Sequence, residues 1–130
     1  MTAPAEALEF FTSNHRAVLV TRRRDGRLQT SPIACATDGD HVLISVTQDR
    51  AKTGNVRRDP RVTLCGLVDG WYGSWVQLDG TAEVIDLPEA MDGLVRLYRS
   101  IQGEHPDWDD YRSAMARDRR CLLRITPDPA

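Results

Sequence analysis

The chain has 130 residues, of which 41% are hydrophobic and 28% are charged, a composition typical of an ordinary globular domain. Its 17 basic and 19 acidic residues give a formal charge of −2, which argues against the cationic surface of a nucleic-acid-binding module. No apolar run approaches the ~18 residues of a membrane span, and the first residues lack a signal-peptide pattern. We therefore expect one domain over 1–130, located in the cytoplasm, with no nucleic acid and no membrane span.

The first part of the chain predicts a short helix followed by three strands. The helix covers 4–11, the strands cover 17–23, 29–36 and 41–47, and turns fall at Asp25-Gly26 and at 38–40. Asp-Gly between two β-rich runs is a strong hairpin signal. Pro32 cannot donate a hydrogen bond to a strand ladder, so its strand should lie at a sheet edge or contain a bulge.

The second part predicts three helices and three more strands. A helix over 49–58 has Asp49 as its N-cap, strands cover 61–68, 72–85 and 121–125, and further helices cover 88–101 and 106–117. Gly73 and Gly80 suggest a bend or bulge in the long strand, and Gly103 should end the helix before it.

About six strands with short turns and a few helices indicate a mainly β fold, namely an antiparallel barrel with helical decoration. A barrel this small fills its interior with side chains. A cofactor-sized ligand is then accommodated outside the barrel, most easily between two subunits, which predicts a homodimer.

The segment 47–60 carries the strongest chemical signal. A strand ends at Thr47, and the first turn of the following helix contains Arg50 and Lys52, although the helix dipole favours acids there. An anion would explain these cations, because free amides, the Thr47 hydroxyl and both side chains can converge on a phosphate. Asn55, three residues after Lys52, should share its face. The alternative is a solvated basic helix whose aliphatic stems cover the barrel.

Four runs of sequence resemble a known family. They are RAKT (50–53), NVRRDP (55–60), LYRSIQGEHPDWDDYR (97–112) and DRRCLL (118–123). With them the chain, from 17 to about 123, resembles the pyridoxamine 5′-phosphate oxidase-like proteins, which have the FMN-binding split β-barrel fold. More narrowly, it is similar to the actinobacterial flavin/deazaflavin oxidoreductases of the B type, which use coenzyme F420.

The resemblance implies a homodimeric split barrel in which Arg50, Lys52 and Asn55 hold the cofactor phosphate, with Thr47 beside them. It also implies that Gln29 and Ser31 line the ring system, and that the segment containing Trp71, Tyr72 and Trp75 forms a wall contributed by the partner chain.

The function implied is hydride transfer between F420 and a conjugated or quinone-like small organic substrate. The cofactor carries the hydride, so no catalytic side chain is required. Two alternatives stay open. One is an FMN-dependent oxidoreductase of the same fold, and the other is a non-enzymatic protein that binds flavin, deazaflavin or haem.

The cysteines and histidines give no sign of metal or nucleophilic chemistry. Cys35, Cys65 and Cys121 are odd in number and lack CxxC spacing, so we expect small buried hydrophobes rather than a zinc site or a disulfide set. The three histidines lie far apart in sequence, which favours surface or capping roles over a metal site or a general base; they are His15, His41 and His105.

Two further groups each have a simple interpretation and a functional one. The run Arg22, Arg23 and Arg24 is typical of a solvated strand edge. In the functional interpretation, these residues attract an acidic cofactor tail together with Arg27, Arg57, Arg58 and Arg61. The spacing of Trp108 and Tyr111 favours helix packing over a substrate cage.

Overall fold

The regular elements come close to those expected from the sequence. The structure is a computed structural model that describes residues 3–129. Within these residues the helices are α1 (Pro4–Phe10), α2 (Ala51–Arg58), α3 (Met91–Gln102) and α4 (Trp108–Arg117). The strands are β1 (Arg16–Arg22), β2 (Leu28–Ala34), β3 (Ala36–Asp38), β4 (His41–Thr47), β5 (Arg61–Leu67), β6 (Trp75–Ile85) and β7 (Arg120–Pro127).

All of these strands belong to one antiparallel sheet with the order β2-β1-β5-β6-β7-β4-β3. The sheet curls so that β2, at one edge, also contacts β4 near the other edge. The mainly β barrel-like architecture is therefore confirmed. None of the helices in the described residues has the length and apolar character needed to cross a bilayer.

The expected strand over 29–36 is in fact two strands, and the sheet therefore has seven strands rather than about six. The break falls at Cys35, which is fully buried and whose N–H donates to His15 O at 2.9 Å. Before the break the chain pairs with β1, and after it the chain pairs with β4 at the opposite edge. Pro32 lies on the edge strand β2 in uninterrupted register with Val18, so the edge placement is correct and no bulge is needed.

The long strand over 72–85 is shorter than expected because it begins at Trp75. Trp71 and Gly73 have φ values of 72° and 145°, which are incompatible with a strand ladder. Gly80 pairs in continuous register with both neighbouring strands and forms no bulge. Its role is close packing, since a Cβ atom at this position would lie 2.5 Å from Thr126 O.

Three helix starts differ from expectation, and the start of α4 is at Trp108 rather than at 106. Asp49 is not the N-cap of α2; Arg50 occupies that position, without a side-chain capping bond. α3 begins at Met91 rather than at 88, after a turn, and ends as expected before Gly103. α4 is capped by Asp107, whose carboxylate accepts from Asp110 N at 3.1 Å.

Apolar side chains lie on both faces of the sheet. Alternation along β4 points Val42, Ile44 and Val46 into the barrel interior, where Phe11 of the first helical segment also packs. Leu43 points to the outer face and packs with Leu94 of α3 in a second cluster. The α3–α4 hairpin therefore covers the outer face of β4 and β7.

Candidate functional site

A cavity of about 530 Å³ lies between the β2 edge and the α3–α4 hairpin, and we call it the edge cavity. Its volume is within the ~300–1,000 Å³ common for small-molecule sites. The sheet side is lined by Pro32, Ile33 and Ala34 of β2, Ser45 of β4, Lys52 of α2 and Arg120 of β7.

The helix side of the edge cavity is mainly apolar and aromatic. It is formed by Leu97, Tyr98, Ile101 and Gln102 of α3 and by Tyr111 and Met115 of α4. A cavity with cations on one side and apolar groups on the other matches a ligand that combines an anionic group with a flat apolar body.

The junction between β4 and α2 places the cations. The Thr53 hydroxyl is fully buried and donates to Thr47 O at 2.7 Å, which ties the first turn of the helix to the end of the strand. That first turn contains no acidic residue, and Arg50 and Lys52 stand beside the positive end of the helix dipole. The local charge is therefore strongly positive.

Lys52 has an electrostatically unfavourable environment. Its pKa is lowered from 10.5, first by desolvation and then by the positive charges of Arg50 and Arg120. None of these three cations forms an ion pair with an acidic residue of 3–129, although Asp49 is close enough to Arg50 for that charge to lower the Asp49 pKa. A bound anion would relieve this repulsion.

Two buried polar atoms next to these cations have no good partner. Thr47 Oγ1 and Arg120 Nε are both withdrawn from solvent without a hydrogen bond inside 3–129, and Thr47 pairs directly with Arg120 across β4 and β7. The Thr47 hydroxyl faces the Asp49 carboxylate and lowers its pKa, but the pair lacks hydrogen-bond geometry. Because native proteins satisfy nearly all buried polar atoms, the two orphan atoms are consistent with a bound anion. Lys52 and Arg120 line the edge cavity, whereas Thr47 and Arg50 do not, so contact of Thr47 and Arg50 with a phosphate stays a prediction.

Asn55 lies apart from this group. Its Nδ2 donates to Thr21 Oγ1 at 3.1 Å, and its Oδ1 accepts from Arg58 Nη2 at 3.0 Å. It is not among the residues that line the edge cavity, so it does not share the exposed face of Lys52. Within one chain Asn55 fastens α2 to β1, and its contact with a cofactor phosphate stays a prediction.

Gln29 and Ser31 are also outside the lining of the edge cavity. They alternate with Pro32 along β2, and Ser31 is buried opposite Leu19, a fully buried core residue. The part of β2 that reaches the cavity is 32–34. Contact of Gln29 and Ser31 with a ring system stays a prediction.

The exposed aromatic residues lie on the other side of β2. Trp71, Tyr72 and Trp75 have 67%, 89% and 61% of their surface exposed. Trp71 lines a second groove of about 440 Å³, which shares Pro32 and Ile33 with the edge cavity. Of these three aromatics Trp71 alone lines this groove, and their contribution to a second copy's site stays a prediction.

Four of the seven arginines considered for an acidic tail have partners, and one of these pairs is Arg27 with Asp25 at 3.9 Å. Arg57 pairs with Asp86 at 2.7 Å, and Arg61 pairs with Asp59 at 2.8 Å and lowers the pKa of that carboxyl to about 2. Arg58 donates to Arg22 O. The positive surface near the edge cavity consists instead of the cations at the start of α2 and β7.

The cysteines and the two histidines His15 and His105 lie in packing or backbone-contact environments. Cys35 and Cys121 are buried as expected, burial raises the pKa of Cys35 to about 12, and Cys65 is half-buried. His15 Nδ1 lies 2.9 Å from Cys35 O, and His105 Nδ1 accepts from Asp107 N. Among residues 3–129 no group of three His, Cys, Asp or Glu side chains is placed to hold a metal ion.

The aromatic residues of the α3–α4 hairpin pack against one another. Tyr98 and Tyr111 have ring centroids 5.1 Å apart, and Trp108 stands edge-on to Tyr111 at 5.5 Å. The expected packing role of Trp108 and Tyr111 is confirmed. Tyr111 in addition lines the edge cavity.

The family model for pyridoxamine 5′-phosphate oxidase matches residues 3–129. The chain belongs to this family. The split β-barrel fold implied by the sequence runs is therefore correct, and the family model covers all the elements that surround the edge cavity.

Solved structures of similar fold include three with different descriptions. An F420 reductase has 20% identity and a TM-score of 0.70, with 92% of this chain and 91% of that chain covered. The conserved hypothetical protein Rv2991 from Mycobacterium tuberculosis has 23% identity and a TM-score of 0.76, with 98% and 81% covered. The haem storage protein HutZ from Vibrio cholerae has 13% identity and a TM-score of 0.71, with 100% and 93% covered.

Sequence reasoning missed Arg120 and the helix side of the edge cavity as site residues. Arg120 and the helix-side residues other than Met115 lie inside runs that resemble the family, at 118–123 and 97–112. Arg120 is brought to the site by its pairing with Thr47. The sequence does not show this pairing, because β4 and β7 are separated by more than 70 residues.

Proposed function

We propose that this protein is an oxidoreductase that binds a phosphate-bearing tricyclic cofactor of the flavin type in the edge cavity, and that the cofactor is the deazaflavin F420. The observation that carries the proposal is a group of three cations, Arg50, Lys52 and Arg120, that form no ion pair within residues 3–129. Beside them lies the Thr47 hydroxyl, which has no hydrogen bond within the same residues. Membership in the pyridoxamine 5′-phosphate oxidase family and the fold shared with an F420 reductase support the same assignment.

Each side of the edge cavity has a task in this proposal. Lys52, Arg50, Arg120 and Thr47 hold the phosphate, since charged hydrogen bonds to phosphate are among the strongest that side chains make. The edge strand at 32–34 borders the ring, and the α3–α4 hairpin keeps water away from it. The bound cofactor supplies hydride chemistry to a conjugated or quinone-like acceptor, while the protein supplies binding, orientation and a dry surface.

We further propose a homodimer. The groove beside Trp71 continues the edge cavity past Pro32 and Ile33, and one copy leaves it open. Trp71 has a left-handed backbone conformation, which is strained for a non-glycine residue, and two thirds of its surface is exposed. Burial of its side chain against a partner surface would offset both free-energy costs. A second copy that covers the groove would enclose the ring.

Titration of the purified protein with F420, FMN and haem, followed by an acceptor screen with each bound ligand, tests the proposal. We expect tightest binding of F420 and F420-dependent reduction of a conjugated acceptor. Tighter binding of FMN with FMN-dependent turnover would assign the protein to the flavin alternative. Binding without turnover of any acceptor would assign it to a carrier, as the name of the haem storage protein HutZ suggests for a protein of this fold.

A further inference from the structure

Two tyrosines line the helix side of the edge cavity, and their hydroxyls differ. Tyr111 Oη donates to Leu94 O at 3.0 Å and so joins α4 to α3. The Tyr98 hydroxyl has no hydrogen-bond partner within residues 3–129. Tyr98 is half-buried, so its phenol is available to a ligand in the cavity and to solvent.

The ring of Tyr98 is held in place from several sides. Its centroid lies 5.1 Å from His105, 5.7 Å from Trp108 and 5.1 Å from Tyr111. His105 is itself fixed, because its Nδ1 accepts from Asp107 N at 2.9 Å. A polar group whose orientation is set before the ligand arrives requires little reorganisation when it acts.

The other polar groups of the edge cavity are less suited to releasing a proton at this side. Lys52 and Arg120 lie at the cation side, where they hold the phosphate, and a guanidinium does not release a proton in proteins. Gln102 carries an amide, which is not an acid. Tyr98 is therefore the group on the helix side that can act as a general acid.

We propose that the helix side of the edge cavity is the subsite for the hydride acceptor, and that Tyr98 donates the proton that completes the reduction. The inference rests on the function proposed above. The acceptor is a planar, apolar conjugated carbonyl compound, because Leu97, Ile101 and Met115 offer apolar contact and the phenol offers one donor for its oxygen.

The chemical step balances with the reduced deazaflavin as the hydride source. A C–H bond forms at the electron-poor carbon of the acceptor as the conjugated π bonds shift and negative charge collects on its oxygen. The Tyr98 O–H bond breaks and an O–H bond forms on that oxygen, so the acceptor is reduced by two electrons and gains the elements of H₂. The Tyr98 phenolate then regains a proton from water at its exposed edge.

The test compares Tyr98→Phe with Ser100→Ala, which removes a hydroxyl on the same helix outside the edge cavity, where it donates to Arg96 O at 3.0 Å. The first measurement is the equilibrium affinity for 4-nitrophenolate, followed by its absorbance, with inorganic phosphate at saturation to occupy the cation side. We expect about tenfold weaker binding in Tyr98→Phe, the factor for ~1.4 kcal/mol, because one hydrogen bond to a charged oxygen is lost. Ser100→Ala should bind the probe like the parent, because Ser100 does not line the edge cavity.

The second measurement uses F420-loaded protein and a conjugated carbonyl acceptor. Both variants should bind F420 with parental affinity, and only Tyr98→Phe should lose at least tenfold in kcat together with the solvent isotope effect of the parent. Parental probe affinity or parental kcat in Tyr98→Phe would overturn the assignment of Tyr98. Absence of F420-dependent reduction by the parent itself would refute the proposed function and the proton-donor role, while the probe affinity still decides whether Tyr98 binds an acceptor-like oxygen.

Discussion

Replacement of Lys52 by alanine removes one of the three cations around the proposed phosphate position. A charged hydrogen bond contributes about 1.5–3 kcal/mol, so cofactor affinity should fall by a factor of roughly 10–100. The remaining cations, Arg50 and Arg120, keep part of the affinity. In the cofactor-free chain Lys52 is desolvated and repelled by both arginines, so its removal should leave the melting temperature unchanged or slightly higher.

Isothermal titration with F420 and with FMN measures this effect, and Arg57→Ala is the matched control. Arg57 lies on the same helix and pairs with Asp86 on the surface, away from the edge cavity, so its loss should change affinity by less than about twofold. Parental affinity of a folded Lys52→Ala variant for both cofactors would refute the placement of the phosphate.

Three further predictions concern pH, the attachment of α2 and the dimer. The pKa of Lys52 in the protein without cofactor is lowered from 10.5, and a bound phosphate would raise it. Cofactor affinity should therefore fall as the pH rises through the lowered pKa. Lys52→Arg should abolish this trend in titrations across pH 8–11. Asn55→Ala leaves the buried Thr21 hydroxyl without its donor and should lower the free energy of unfolding by about 1–3 kcal/mol in urea denaturation, with cofactor affinity nearly unchanged per folded molecule; a large affinity loss at parental stability would contradict this. Trp71→Ser should shift the monomer–dimer equilibrium toward monomer in sedimentation experiments, and an unchanged dimer would remove Trp71 from the interface.

Much of the fold follows from local sequence signals. β4 begins and ends at the predicted residues. The predicted Asp25-Gly26 turn joins β1 and β2 in a hairpin, with Gly26 at φ 86°. The errors occur where tertiary contacts decide. At Cys35 the chain donates a hydrogen bond to His15 O and passes from β2, at one sheet edge, to β3, at the other. Local β-propensity does not predict this change of edge.

The candidate site was only partly predictable for the same reason. Thr47, Arg50 and Lys52 lie in one short segment, so the misfit of cations at a helix start was visible in the sequence. Helical spacing predicts that Asn55 joins Lys52, but it does not reveal that the Asn55 amide donates to Thr21 on β1, a contact between residues 34 apart in the chain. Arg120 and Tyr98 reach the cavity through pairing and packing between segments far apart in the chain, which periodicity does not reveal.

A crystal structure of the protein with bound F420 would show directly where the phosphate lies. We expect the cofactor phosphate within hydrogen-bond distance of Lys52 Nζ, Arg120 Nε and Thr47 Oγ1, with the ring beside the edge strand at 32–34. A phosphate held elsewhere, for example in the surface pocket that Arg22 and Arg61 line, with Arg120 Nε still unpartnered, would contradict it.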